Sequence, residues 1–419
     1  MTNMKLKTHF REVEGNSKGY YGLLALLVFG IGLGLLAAAL KSTYGHHITG
    51  MNNHVVWGLP HVFAIFLIVA ASGALNVASI ASVFGRKAYK PLAPLSGLLA
   101  ITLLAGGLAI LVLDLGRPDR LIVAMTYYNF KSIFAWNIFL YTGFMAIVAV
   151  YLWFMLERRM NAYTTPVGFV AFIWRLILTT GTGSIFGFLV AREAYDAAIL
   201  APLFIALSFS LGLAVFLLVV MASFAWTDRP LGDLILKRLK NLLGVFVAAV
   251  LYFVAVYHLT NLYATRLHGV EAFILLHGGI YTFLFWIGQI ALGSLLPLAM
   301  LFHPVWSRSR AVIGAACGLV ILGGMAQLYV IIIGGQAYPL DLFPGHEASS
   351  SFFDGVVAPY APSLPEFMLG IGGVALSLFM VAVAVKFLRF LPESLADDKV
   401  DPHHAPQQVT GGEATTASA

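Results

Sequence analysis

The chain runs to 419 residues, of which 60% are hydrophobic and 11% charged, with a net charge of +6. A soluble domain carries about 25% charged residues, and a mean hydropathy of +0.87 excludes a cytosolic enzyme, a disordered scaffold and a secreted disulfide protein. The positive charges are dispersed between apolar runs, which speaks for membrane orientation and against nucleic-acid binding.

A tail of mixed charge, residues 1–19, precedes the first apolar run. Stretches with almost no Asp, Glu, Lys or Arg then cover 20–40, 55–85, 91–113, 132–156, 160–191, 197–227, 241–265, 272–307, 311–340 and 367–385. Each has the roughly 20 residues needed to cross about 30 Å of hydrocarbon. Only the run 160–191 holds a charge, Arg175. The runs are continuously apolar, not alternating, which predicts helices and excludes barrel strands. The expected fold is an all-α polytopic membrane protein of about ten transmembrane helices in two bundles, six spans within 20–230 and four within 231–391.

The first run is 21 residues long, longer than the apolar core of a cleaved signal peptide, so it reads as a retained helix. Between the ninth and tenth runs, segment 335–363 lacks Lys and Arg. It carries Asp341, His346, Glu347, Asp354 and four prolines. A connection of that length points to partner docking. The polar tail 392–419 is expected to be disordered.

Ten spans put both termini on one side. Assigning that side to the cytoplasm leaves 18 of the 25 Lys and Arg there and 6 opposite, with Arg175 inside the membrane. This is a positive-inside pattern with both ends cytoplasmic. The expected location is the bacterial inner membrane, in contact with its lipid.

Ionisable residues near a membrane are costly and tend to be functional. Most of them collect toward the outer side: His54 and His61, then Asp114 and Arg117, then Tyr127, Tyr128, Asn129 and Lys131. Arg192, Glu193 and Asp196 follow the fifth run, His258 and Asn261 end the seventh, and Glu271 and His277 open the eighth. Carboxylates, imidazoles and phenols in one leaflet make up a site that moves protons. His61 shares a helical stripe with Ser72, Asn76 and Ser79. That stripe reads either as helix packing or as a hydrogen-bonding edge for a ligand carbonyl. Asp114 lies three residues before Arg117, so the two are a plain i,i+3 ion pair or a carboxylate that accepts protons while the guanidinium holds it ionised. Arg175 sits about 13 Å into its helix. It either pairs with Glu157 or takes part in a proton path, with Thr179, Thr180, Thr182 and Ser184 above it and Gln327 facing.

The single cysteine, Cys317, cannot supply the roughly four thiolates of an iron–sulfur cluster or the C-x-x-C-H of covalent haem. No metal site is expected in this chain. Electrons, if handled, belong to a partner, to a non-covalent haem b or to a lipid-soluble carrier.

Four stretches carry a resemblance: WGLPHVFAIFLIVAASG (57–73), LDLGRPDR (113–120), NFKSIFAWNIFLYTGF (129–144) and TGTGSIFGFLVAREAYDAAILAPLFI (180–205). In this order and spacing they resemble the NrfD/PsrC family of polysulfide reductase membrane subunits, which includes the HybB-type hydrogenase subunits. The closing stretch from Ala361 to Ala405 is most similar to the DsrP branch of the Dsr sulfur-metabolism complexes. The resemblance implies a quinone, menaquinone or ubiquinone, bound near the outer face. It also implies a periplasmic four-cluster iron–sulfur partner (DsrO-like) and further Dsr-type subunits including cytochromes. Carried over by position, Trp57, His61, Asp114, Arg117 and Arg192 are the expected quinone-site residues. Asp114, Arg175, Glu193, His258 and Glu271 are the expected proton-transfer residues. Some relatives have a histidine where this chain has only Thr and Gly around Thr179–Thr182.

Three functions compete. A quinone-reactive electron-transfer subunit uses the outer polar groups as proton acceptors. A b-type cytochrome would need facing histidines, for which His61, His258 and His277 lie at similar depth while His303 stands alone inside. A secondary transporter would hold carboxylates near the midplane, whereas every carboxylate here lies at a rim.

Overall fold

The computed structural model describes residues 9–14, 16–340 and 355–400. Among them are ten helices long and apolar enough to cross a membrane. They are α1 (Lys18–Tyr44), α2 (Leu59–Ser82), α3 (Lys87–Asp114), α4 (Ile133–Leu156) and α5 (Arg158–Gly187), followed by α6 (Leu200–Trp226), α7 (Asp233–Tyr263), α8 (Ile280–Phe302), α9 (Arg310–Ala337) and α10 (Leu364–Phe387). Hydrocarbon offers no partner to a bare amide, so each segment satisfies its backbone within its own helix.

The centre is α2, almost wholly enclosed and packed against α3, α5, α6, α9 and α10. Its approach to α6 depends on glycine. A side chain at Gly73 would run into the Ser208 carbonyl, and one at Gly212 into the backbone of Gly73. Without a hydrophobic drive between helices in lipid, such small-residue contacts supply the packing.

Near its middle α2 breaks at Leu75, between Leu59–Ala74 and Asn76–Ser82. Ser96 of α3 repairs the break. Its hydroxyl donates to the Ala74 carbonyl at 2.6 Å and accepts from the Ala78 amide at 3.0 Å. Those two backbone groups would bond each other in a continuous helix, so the serine takes the place of one rung.

Two expectations about organisation need correction. A division near residue 230 does not match the packing, because α10 lies on α1, α2 and α3. Gly34 and Gly372 bring α1 and α10 into backbone contact. The last span therefore completes the first group of helices. The tail from Pro392 is also ordered as far as Val400: Leu391–Pro392 (β2) pairs antiparallel with Phe10–Arg11 (β1), and Leu395 bridges to Leu231. Arg229 reinforces the join through the carbonyls of Arg11, Glu12, Leu391 and Pro392. Both described ends thus meet at one end of the helix array, as ten spans require. Residues 401–419 lie outside the described residues, as do Asp341, His346, Glu347 and Asp354 of the long connection.

The described parts of that connection are tied down at the opposite end. The Ala358 amide donates to Ala337 at 2.9 Å, and Asn52 donates to the Pro359 carbonyl at 2.9 Å. Tyr360 hydroxyl accepts from the Leu59 amide at 2.7 Å and donates to Glu366 Oε1 at 2.8 Å. Burial and the Glu366 carboxylate push the Tyr360 phenol well above its ordinary range. It therefore stays protonated and keeps the donor role.

Candidate functional site

Three helix ends converge at the rim opposite the termini. Asp114 is the last residue of α3, Lys41 lies in the last turn of α1, and His61 in the first turn of α2. Lys41 Nζ and Asp114 Oδ1 form a buried ion pair. Asp114 Oδ2 stands 3.2 Å from His61 Nδ1, and the His61 side chain keeps 24% of its surface exposed while Asp114 keeps 2%. A carboxylate thus bridges a fixed cation and an imidazole that reaches the surface. Two charges buried in this way cost several kcal/mol each in desolvation, which the mutual attraction must offset. The carboxylate thus has a fixed positive charge on one side and an ionisable ring on the other.

Aromatic rings form a wall beside the imidazole. The Trp57 ring is centred 6.2 Å from His61, 5.8 Å from Phe134, 6.0 Å from Phe186 and 6.4 Å from Tyr195. The Trp57 backbone is clamped by Gln336 at the end of α9, whose Oε1 accepts from its amide at 3.0 Å and whose Nε2 donates to its carbonyl at 3.0 Å. Tyr195 donates to the Ile332 carbonyl at 2.6 Å. Burial raises its phenol far above the usual tyrosine range, so it remains a donor.

Arg192 lies on the turn after α5 and joins the wall from behind. Its Nη1 donates to Gln336 O and its Nη2 to His54 O, each at 2.9 Å. Partial burial lowers its pKa from the ordinary guanidinium value. It clasps the 54–57 segment to the end of α9 and so positions Trp57. Glu193, next to it, is half-buried on the same turn.

The expected Asp114–Arg117 pair does not form. The chain leaves α3 in an extended conformation at Leu115, ψ 136°, which carries Arg117 off the helix face where an i,i+3 partner would sit. Its Nε and Nη2 instead hold Asp119 at 3.0 and 2.8 Å in an exposed pair. Each partner shifts the other toward its charged form, Arg117 upward and Asp119 downward.

The expected Arg175–Glu157 pair is also absent. Glu157 caps the following turn through the Arg159 amide at 3.2 Å. The Arg175 guanidinium lies between the Phe172 and Phe209 rings, 4.9 and 5.0 Å from their centroids, and donates to the Ser72 carbonyl at 3.3 Å. Counting twelve residues to Gly187, it sits about 18 Å along α5 from the site end. Between the two levels Tyr141 and Thr182 hydroxyls meet at 3.2 Å, and Asn137 donates to the Gly181 carbonyl at 3.1 Å.

His258 and Glu271 do come together, but in a second cluster. His258 Nδ1 is 2.7 Å from Glu271 Oε2, and Asn261 Nδ2 donates to Glu271 Oε1 at 2.8 Å. A cavity among α6–α9, lined by His258, Tyr257 and Phe285, adjoins this cluster.

Sequence reasoning missed Lys41 and Gln336. Lys41 counted only as one of six basic residues on its side. The available signal was its position flush against the apolar run LLAAAL, where a lysine has no loop to occupy. Nothing in the sequence singles out Gln336.

A quinone headgroup needs a hydrogen-bonding and proton-exchanging group beside an aromatic face. His61, backed by Asp114 and flanked by Trp57, is a donor set of that kind.

Known proteins are similar to this chain in sequence. The family model for polysulphide reductase NrfD matches residues 47–339. The Hdr-like menaquinol oxidoreductase integral membrane subunit of Archaeoglobus fulgidus is 28% identical over 405 residues, covering 94% of this sequence and 100% of that protein. A selenate reductase subunit of Mesobacillus selenatarsenatis is 24% identical, covering 87% of this sequence and 93% of its own. The protein NrfD of Escherichia coli is 27% identical, covering 67% of this sequence and 95% of its own. With ten membrane-spanning helices and a match over most of its length, this multi-pass membrane protein belongs to the polysulphide reductase NrfD family.

Proposed function

We propose that this protein is the quinone-reactive membrane subunit of an electron-transfer complex and that the Lys41–Asp114–His61 cluster handles the protons. The observation that carries this reading is the buried Asp114 carboxylate held between a fixed ammonium and a surface-reaching imidazole. The likeness to the Hdr-like menaquinol oxidoreductase integral membrane subunit of Archaeoglobus fulgidus supports it.

A bound quinol would supply two electrons and two protons. His61 takes a proton at Nε2, and the resulting imidazolium is stabilised by Asp114 against its Nδ1–H. Lys41 keeps Asp114 ionised, so the carboxylate can then receive that proton from Nδ1; once Asp114 has passed it on and the imidazole has returned to its starting tautomer, His61 takes the second quinol proton at Nε2 by the same route. Trp57 forms the flat wall, and Arg192 positions it. The two electrons pass to an iron–sulfur centre of a partner, since one cysteine cannot hold such a cluster in this chain.

Finer assignments extend the same reading. Menaquinone or ubiquinone is the carrier. The closing stretch favours a DsrP-like place with a DsrO-like iron–sulfur partner and Dsr-type cytochromes. The distribution of Lys and Arg favours termini in the cytoplasm and His61 on the periplasmic face of a bacterial inner membrane. Arg175, Glu193, His258 and Glu271 are assigned to proton transfer away from the reacting ring.

The test is quinol oxidation by the isolated complex, with reduced menadione and decylubiquinol as donors and ferricyanide as acceptor. His61→Ala and Asp114→Asn should each abolish turnover in complexes that still assemble. Full turnover in either variant refutes the assignment.

A further inference from the structure

A second carboxylate lies fully buried at the site end of the helix array, outside the Lys41–Asp114–His61 cluster. It is Glu366, in the first turn of α10. Taking a carboxylate out of water is costly unless hydrogen bonds replace the water, and among the described residues three donors do so. Glu366 Oε2 accepts from the Gly50 amide at 2.9 Å and the Ser363 amide at 2.7 Å, and Oε1 accepts from the Tyr360 hydroxyl at 2.8 Å. The Ser363 bond is the local contact by which a glutamate caps its own helix. The other two reach across to a different part of the molecule and are not needed for that purpose.

What they hold is the start of α2. Gly50 belongs to the segment between α1 and α2, and the Tyr360 hydroxyl accepts at 2.7 Å from the amide of Leu59, the first residue of α2. The first amides of a helix need partners from outside it. The residue before Leu59 is Gly58, which has no side chain to offer. Glycine is needed there for space: a Cβ on Gly58 would strike Glu366 Oε1 and the Tyr360 hydroxyl, and one on Gly50 the Ala361 carbonyl. The α9–α10 connection thus supplies a cap that α2 lacks in its own sequence. His61 stands two residues after Leu59 in the same turn, and its amide donates to the Gly58 carbonyl at 3.1 Å. Trp57 is held separately through Gln336. Further along, Phe63 packs α2 on α10, its ring centred 6.1 Å from that of Phe367, so the body of the helix keeps its place without the cap.

We propose that Glu366 and Tyr360 are positioning residues for His61. The carboxylate orients the Tyr360 hydroxyl, with the phenolic proton toward Glu366 and a lone pair toward the Leu59 amide, and that hydroxyl fixes the turn that presents the imidazole to Asp114. A carboxamide whose oxygen keeps the Gly50 and Ser363 amides turns its NH2 toward Tyr360. The hydroxyl then faces two donors and its own proton has no acceptor. The proposal rests on the quinone reading for the reaction that His61 serves, whereas the contacts to α2 stand without it.

Two measurements on the intact complex test it. In lipid nanodiscs without quinone, amide hydrogen exchange within peptide 56–63 should be about 5-fold faster in Glu366→Gln and in Tyr360→Phe than in wild type, the equivalent of about one hydrogen bond. Peptide 390–397, at the opposite end, should exchange as in wild type. In oxidation of reduced menadione, both variants should lower kcat about 5-fold at nearly constant KM. They should also raise the solvent deuterium isotope effect on kcat, because proton transfer to a loosely held imidazole becomes the slow step. A misfolded fraction would lower kcat and leave that isotope effect as it was. The double variant should be no more impaired than the worse single one, since both break the same chain of contacts. If Glu366→Gln does not assemble, Tyr360→Phe carries both readouts. Unchanged exchange in peptide 56–63, or an isotope effect equal to that of wild type, overturns the assignment. Wild-type complex that oxidises no quinol would sink the quinone reading instead, and the exchange measurement alone would then decide whether Glu366 and Tyr360 hold the His61 turn.

Discussion

Lys41 and Asp114, 73 residues apart in sequence, form an ion pair with side chains only 3% and 2% exposed. Removing one member of such a pair strands the other charge in a low dielectric, at a typical cost of about 3–5 kcal/mol. Lys41→Met should therefore destabilise the subunit by about that amount. Adding Asp114→Asn should restore most of the loss, since the double variant buries no charge. Quinol turnover should stay abolished in both. Thermal melts of the detergent-solubilised complex read the first effect and turnover the second. A double variant as unstable as Lys41→Met would show that the pair does not act through charge.

Arg117 gives the opposite expectation. Its partner is Asp119 in an exposed pair, and exposed pairs contribute little. Arg117→Ala should leave the melting temperature and turnover unchanged. A turnover loss like that of His61→Ala would place Arg117 back at the site.

These two arginine and lysine cases show what the sequence made legible. Ten apolar runs and two termini on one side follow from hydropathy and parity, because the bilayer imposes them. His61 and Asp114 stood out because a charge or imidazole beside an apolar run is rare. The cation on Asp114 was not legible, since proximity in sequence favoured Arg117 over Lys41. Only the extended turn at Leu115 decides the matter, and no local pattern announces it. Helix order hides likewise: α10 returns to α1 through Gly34 and Gly372, a contact across almost the whole sequence. The tail beyond Pro392 reads as polar, yet its first residues find backbone partners at Phe10, Arg11 and Leu231.

Ser96 offers a test of the broken helix at the centre. Its hydroxyl serves the Ala74 carbonyl and the Ala78 amide, both buried. Ser96→Ala should cost about 1–3 kcal/mol, the typical penalty for a stranded buried polar group. Ser96→Thr keeps the hydroxyl and should recover much of it if the added methyl is accommodated. Melting temperatures of the two variants decide the point, and equal stability of Ser96→Ala and wild type would mean that α2 closes its own ladder.

Arg192 should act on binding more than on chemistry. Its planar fork reaches two carbonyls at once, His54 and Gln336, each at 2.9 Å. An ammonium cannot reproduce that divergent geometry. Arg192→Lys should thus loosen the 54–57 segment and displace Trp57 from beside His61 without removing the proton-accepting groups. The expected signature is a KM for reduced menadione raised about 10-fold, equivalent to about 1.4 kcal/mol of lost binding, with kcat reduced far less. Trp57→Phe keeps an aromatic wall and should show a weaker form of the same split, whereas Trp57→Ala should match Arg192→Lys or exceed it. A fall in kcat at unchanged KM would instead place the guanidinium in direct contact with the reacting groups, which its two backbone bonds leave little freedom to reach.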